Sequence, residues 1–243
     1  MLHIGTRFFG KDREKDFSRI RNFLEKATLL GTVHVAVNVE EDTIDTLTFV
    51  QENFPEVDAF GVRPWGKFVF PLNTIVSRAT VLGADRLLLA SAEFPPLEEQ
   101  TNVLLGHIDN DTLVAGARFS DHEFKEGNNV GTGVTIPWNT FAVWNLRLLA
   151  RVGFPLLGDA PFDTAKAGVE EVCTISILQK LCGASSAKAK LVSIEGFYEV
   201  WNTAGWDAER LVKHHAKILS KNSRPQAQLE WARLVAPTVE HIA

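Results

Sequence analysis

Residues 71–93 read PLNTIVSRATVLGADRLLLASAE. Residues 72–82 form a helix that Gly83 ends, and residues 86–90, RLLLA, form a buried strand. The strand stops just ahead of a carboxylate, Glu93. Open α/β sheets bind their ligands outside the carboxyl ends of their strands, so Glu93 falls where chemistry is usually found.

The same alternation extends toward the N-terminus. Residues 2–6 read as a short first strand, and 16–27 as a helix carrying Phe17, Ile20, Phe23 and Leu24 at helical spacing. A β-branched run over 33–37 is the second strand. Asp42 then caps a helix with Ile44, Leu47 and Val50 on one face, and 58–62 is the third strand. Four such alternations predict an α/β fold, with a mostly parallel mixed central sheet flanked by helices.

Beyond Glu93 the pattern changes. Phe94-Pro95-Pro96 breaks the chain, a short helix follows over 98–105, and 112–118 reads as a strand. Residues 120–133, with acids, His122, glycines and asparagines, read as a mobile loop. Asn139 or Thr140 caps an expected helix running to Val152, closed by Gly153 and Pro155. A loop over 159–167 precedes a helix headed by Glu170 and Glu171, and then a strand over 190–194. Residues 207–221 and 225–234 make a last helix pair, whose Leu211, Ile218, Leu229, Leu234 and Val235 need burial. The expected organisation is one domain over residues 1–195 with a C-terminal helical extension, 196–243, packed on it. Whether two copies pair as a homodimer through these helices stays open.

Composition excludes several classes. The 243 residues, 45% hydrophobic, suffice for a large core, and a net charge of −5 argues against a nucleic-acid partner. No apolar run approaches the roughly 20 residues that span a bilayer. Met1-Leu2-His3-Ile4-Gly5 has no basic segment followed by an apolar one, so a cytoplasmic protein without a secretory signal is expected. Cys173 and Cys182 stand nine residues apart on one helix. That is about 13 Å along the axis, too far for a disulfide, and predicts two buried reduced thiols. No glycine-rich phosphate loop follows the first strand, where Thr6-Arg7-Phe8-Phe9-Gly10-Lys11 holds one glycine, and no dinucleotide or P-loop motif occurs.

Three clusters carry candidate chemistry. Gly168-Val169-Glu170-Glu171 puts two carboxylates at a helix head with Val172, Ile175 and Leu178 behind them. Acids there complement the helix dipole by roughly 0.3–1 kcal/mol each, which explains one Glu more easily than two. His214, Lys217 and Lys221 fall on one helix face with Arg224 just beyond. That face suits a diphosphate, yet basic residues late in a helix also complement its negative end as a solvated surface. Trp65 and Trp138 flank prolines in loops, positions where rings stack on sugars or bases, while Trp144 belongs to the core.

In order and spacing, residues 2–195 resemble the inverting nucleotide-sugar glycosyltransferases of the GT-A type, family 2. That family carries an acid-x-acid metal motif after its fourth strand, where this chain has Ser91-Ala92-Glu93. It also carries an acid pair at the head of a later helix, which Glu170-Glu171 matches, with Glu171 in the place of the catalytic base. Ile136-Pro137-Trp138-Asn139-Thr140, a helix and Arg151-Val152-Gly153-Phe154 resemble its acceptor-side segment. The resemblance implies nucleotide contacts from Thr6 and Arg7 after strand one, Asn38 to Glu40 after strand two, Asn73 and Ser91. It implies a divalent metal (Mn or Mg) on Glu93. On the basic helix face His214 is the candidate to complete that metal shell and Lys217 and Lys221 the candidates for the diphosphate, while Trp138 and Trp65 are the rings expected near the acceptor. The expected activity is inverting transfer of a hexosyl group from a nucleotide-diphosphate sugar to an acceptor hydroxyl. The alternative is a GT-A-like domain that lost its first metal ligand and binds a nucleotide or partner without catalysis, which Ser91 supports.

Overall fold

The computed structural model describes residues 1–9, 13–40, 44–197 and 208–243, with the side chains of 13–15, 44, 210, 213–215 and 217 outside the description. Strands β1 (Leu2–Phe8), β2 (Thr32–Asn38), β3 (Asp58–Val62) and β4 (Arg86–Ala90) alternate with helices α1 (Arg13–Ala27), α2 (Ile44–Asn53) and α3 (Val69–Val81). These four strands are parallel, in the spatial order β3-β2-β1-β4. Val33 to Val37 of β2 are buried on both sides, as a parallel strand covered by helices on two faces must be. Arg7 lies inside β1, which runs two residues further than its sequence suggests.

The second half holds α4 (Glu98–Gly106), β5 (Thr112–Ala117), β6 (Gly127–Val130), β7 (Phe141–Asn145), α5 (Leu146–Leu149), α6 (Glu170–Cys182), β8 (Lys188–Val192), α7 (Ala208–Leu219), α8 (Ser223–Ala232) and β9 (Thr238–Ile242). The sheet continues β4-β7-β5-β8-β9-β6, with β7 antiparallel to both its neighbours and β6 antiparallel to β9. Among the described residues this is one α/β layer of nine strands. None of their helices is long and apolar enough to cross a membrane.

Several expectations need correction. Val235, expected to be buried, is 76% exposed, and Thr238–Ile242, within the expected helical extension, is a strand of the sheet. The helix expected from Asn139 to Val152 is strand β7 followed by the single-turn α5, whose cap is Asn145, its side chain accepting from Arg147 N. All five β7 residues are buried because β4 and β5 flank the strand and both sheet faces are covered. Such a run carries no alternation to betray it as a strand. Residues 120–133 contain β6, tied to the chain's last strand, β9. Cys173 is buried, but Cys182 is half-exposed and accepts a hydrogen bond from Arg151 Nη1 at 3.2 Å.

The β5–β7 pairing makes one residue telling. A Cβ on Gly116 would stand 2.7 Å from Pro137 Cβ and 3.1 Å from Ala142 Cβ. Gly116→Val is expected to destabilise the protein by about 1–3 kcal/mol in denaturant unfolding. An unchanged midpoint would contradict this packing.

Candidate active site

A cleft of about 480 Å³ opens at the carboxyl ends of β1 and β4, closed by the head of α6 and by the segment joining α7 to α8. Glu170 and Glu171 line it and are only 2% and 5% exposed. The turn before them is unusual. Gly168 and Val169 both have left-handed φ, 101° and 59°. A β-branched residue rarely adopts that conformation, and such strain persists only where the surroundings over-determine it.

The surroundings here are helix α8. Gln228 Nε2 donates to Lys166 O at 2.7 Å and Gly168 O at 2.9 Å, and Arg224 Nη1 donates to Ala167 O at 3.0 Å. Three successive carbonyls are thus held by two buried side chains one helical turn apart. Gly168 N also donates to Gly158 O at 2.8 Å, and Gly158 must lack a side chain because a Cβ would meet Glu170 Cβ at 2.6 Å.

The acids are satisfied individually. Glu171 Oε1 accepts from the backbone N of Asn139 at 2.6 Å. Glu170 Oε1 accepts from Asn139 Nδ2 at 3.2 Å and lies 3.3 Å from Arg7 Nη2. Asn139 Oδ1 is held in turn by Trp144 Nε1 at 2.9 Å. Arg7 is fixed by donating to Phe68 O at 3.0 Å, and Asp159 Oδ1 anchors that segment by accepting from Phe68 N and Val69 N at 2.8 and 3.1 Å. Burial, and then the charge of Glu170, push the Glu171 carboxyl up to about 8, against the opposing pull of Asn139 N and Arg7. A carboxyl poised there can take up or give a proton near neutral pH.

Of the residues named from sequence, Arg7, Ser91, Glu93, Trp138, Glu170, Glu171 and Lys221 line the cleft together. Thr6, Asn38, Glu40, Asn73 and Trp65 do not. The Thr6 hydroxyl is buried without a hydrogen-bond partner. Asn38 Oδ1 accepts from Glu40 N at 2.9 Å, and Glu40 Oε1 from Trp65 N at 3.0 Å, so these residues brace the end of β2. Trp65 is 5% exposed. Trp138 is enclosed as well: His122 stacks on it at 3.7 Å, and the Lys221 ammonium stands 2.9 Å from its ring centroid. Two groups so close cannot share one face, which covers the ring on both sides. His122 is lowered to about 3, chiefly by burial, and its Nε2–H donates to Ile136 O at 2.9 Å while Nδ1 accepts from Phe119 N at 2.8 Å. The side chains of His214 and Lys217 lie outside the described residues.

The acid after β4 is also paired. Glu93 Oε1 accepts from Arg19 Nη1 at 3.1 Å, and Arg19 Nη2 reaches Asp16 at 2.8 Å. Glu93 N approaches the Ser91 hydroxyl at 3.4 Å. A divalent cation such as Mn or Mg needs several hard oxygen donors within about 2–2.6 Å. Here one donor position is a neutral hydroxyl and the other carboxylate faces a guanidinium. Among the described residues no three of His, Cys, Asp and Glu gather around a point. These residues do not fit a divalent metal.

Sequence reasoning missed Arg19, Asn139 as the partner of both acids, Asp159, and Gln228. Only Asn139, within Pro137-Trp138-Asn139-Thr140, stood in a segment already singled out.

No protein-family model matches the chain, and no curated protein sequence matches it. Solved structures do match in shape. The mannosyltransferase PcManGT from Pyrobaculum calidifontis, in complex with GDP-Man and Mn2+, superposes with a TM-score of 0.50 at 15% identity, over 74% of this chain and 52% of its own. TarS 1-349 from S. aureus, in complex with UDP, superposes with a TM-score of 0.50 at 12% identity, over 81% of this chain and 58% of its own. This chain therefore spans a little over half the length of either. It has the GT-A-like fold of nucleotide-diphospho-sugar transferases.

Asn73 separates a bracing role from a binding one. Its Nδ2 donates to Phe154 O at 2.8 Å and its Oδ1 accepts from Phe154 N at 2.7 Å. Asn73→Ala is expected to lower stability by about 1–3 kcal/mol in thermal or denaturant unfolding. Full stability with weakened nucleotide binding would assign Asn73 to the ligand.

Proposed function

We propose that this chain transfers a sugar from a nucleotide-diphosphate sugar to an acceptor hydroxyl by single displacement, with inversion at the anomeric carbon. One observation carries the reading: an almost wholly buried acid pair opens into the cleft at the ends of β1 and β4, where burial and the neighbouring Glu170 raise the proton affinity of Glu171. Glu171 takes the acceptor proton as the hydroxyl oxygen attacks the anomeric carbon, and the nucleoside diphosphate leaves from the opposite side. Glu170, bonded to Asn139 Nδ2 and Arg7, fixes the local charge that raises Glu171. The GT-A-like fold, the nucleotide sugar in PcManGT and the UDP in TarS support this choice of substrate.

A second reading, nucleotide binding without transfer, draws on Ser91 and on the pairing of Glu93 with Arg19. Both are tested by incubating the protein with a panel of nucleotide-diphosphate sugars and measuring released nucleoside diphosphate. Release in wild type is expected to fall by about a hundredfold or more in Glu171→Gln, with donor binding retained. Undiminished turnover in that variant would remove Glu171 from the mechanism, and donor binding without release in wild type would favour the second reading.

The pH profile has a defined sign. The base must be ionised, so kcat/KM is expected to rise about tenfold per unit below its pKa and to level off near pH 8. A profile already level at pH 6 would contradict a raised carboxyl as the base.

A further inference from the structure

We infer that the cleft meets a diphosphate with side-chain cations, Arg19 and Lys221, where its relatives in fold could place a divalent metal. This deepens the nucleotide-sugar reading and rests on it. The carboxyl end of β4 presents a guanidinium as well as an acid. Arg19 is held between Asp16 and Glu93, over the Phe8 ring at 4.8 Å, and its side chain remains 31% exposed. Each of its terminal nitrogens spends one hydrogen on a carboxylate and carries a second. Arg19 is thus fixed in direction and still able to donate into the cleft.

Lys221 comes from the other wall. The segment between α7 and α8 lies against Gly133, where a Cβ would collide with the backbone carbonyl of Lys221. Its ammonium sits at the Trp138 ring on the cleft. A lysine ammonium is a compact charge with three donors, suited to phosphate oxygens.

The charge balance of the lining agrees. Arg7, Arg19, Lys221 and Arg224 face it against Glu93, Glu170 and Glu171. Arg7 already answers Glu170, and Arg224 is committed to the turn before α6. Arg19 enters the lining from the side of β4 and Lys221 from the segment between α7 and α8.

The test is calorimetry of the full chain with UDP, GDP, CDP and dTDP, each in EDTA and in Mn2+. One nucleotide is expected to bind in EDTA with a Kd within threefold of that in Mn2+. Lys221→Gln, and the double variant Arg19→Gln/Glu93→Gln that removes both members of the ion pair, are each expected to weaken it on the order of tenfold. Gly133→Ala is expected to weaken it too, by pushing Lys221 from its place. Thermal melts identify any variant that fails to fold, and the remaining variants then decide. Binding that requires Mn2+ would overturn the proposal while leaving the sugar-transfer reading standing. Metal-free binding indifferent to the folded variants would overturn the assignment to Arg19 and Lys221. No binding of any nucleotide in either condition would remove both readings.

Discussion

Glu170 and Glu171 stand side by side, nearly out of water, and each buried carboxylate forfeits several kcal/mol of hydration unless it is answered locally. Two charges so close also repel. The structure answers with the backbone N–H of Asn139 for one, Asn139 Nδ2 and Arg7 for the other, and a proton affinity raised on Glu171. Much of the rest serves that arrangement. Asp159 anchors the start of α3, which presents Phe68 O to Arg7, while Trp144 orients Asn139. Removing any of these leaves a buried acid with less to hold it.

The C-terminal part belongs to the same construction. Helix α8 reaches back with Arg224 and Gln228 to hold the left-handed turn at Gly168 and Val169, and that turn aims both acids into the cleft. Strand β9 then enters the sheet between β8 and β6, while Lys221 lines the cleft. Residues 208–243 therefore supply part of the site's frame.

The described strands and helices of the first ninety residues were legible because they alternate with clear periods and are followed by glycines and prolines, while the expected cap Asp42 lies outside the described residues. The acid pair was legible too, since two carboxylates behind a glycine at a helix head are hard to explain by the dipole alone. Strand β7 was not: Phe141-Ala142-Val143-Trp144 is buried on both faces, and a short apolar run without alternation suits helix and strand equally. Strand β9 shows its alternation over only five residues. Partners such as Arg19 for Glu93, or Asp159 for Phe68, lie 74 and 91 residues apart and leave no local trace. Trp65 and Trp138 show the converse. Their place beside prolines suggested open rings, while the fold encloses both.

The central claim is that burial beside Glu170 raises the proton affinity of Glu171, and it can be read without any ligand. Side-chain carboxyl 13C shifts of glutamate-labelled protein, followed from pH 4 to pH 10, should show one carboxyl with a midpoint near 8 that is missing from Glu171→Gln. Titration of every glutamate within about one unit of the ordinary value of about 4.3 would contradict the account.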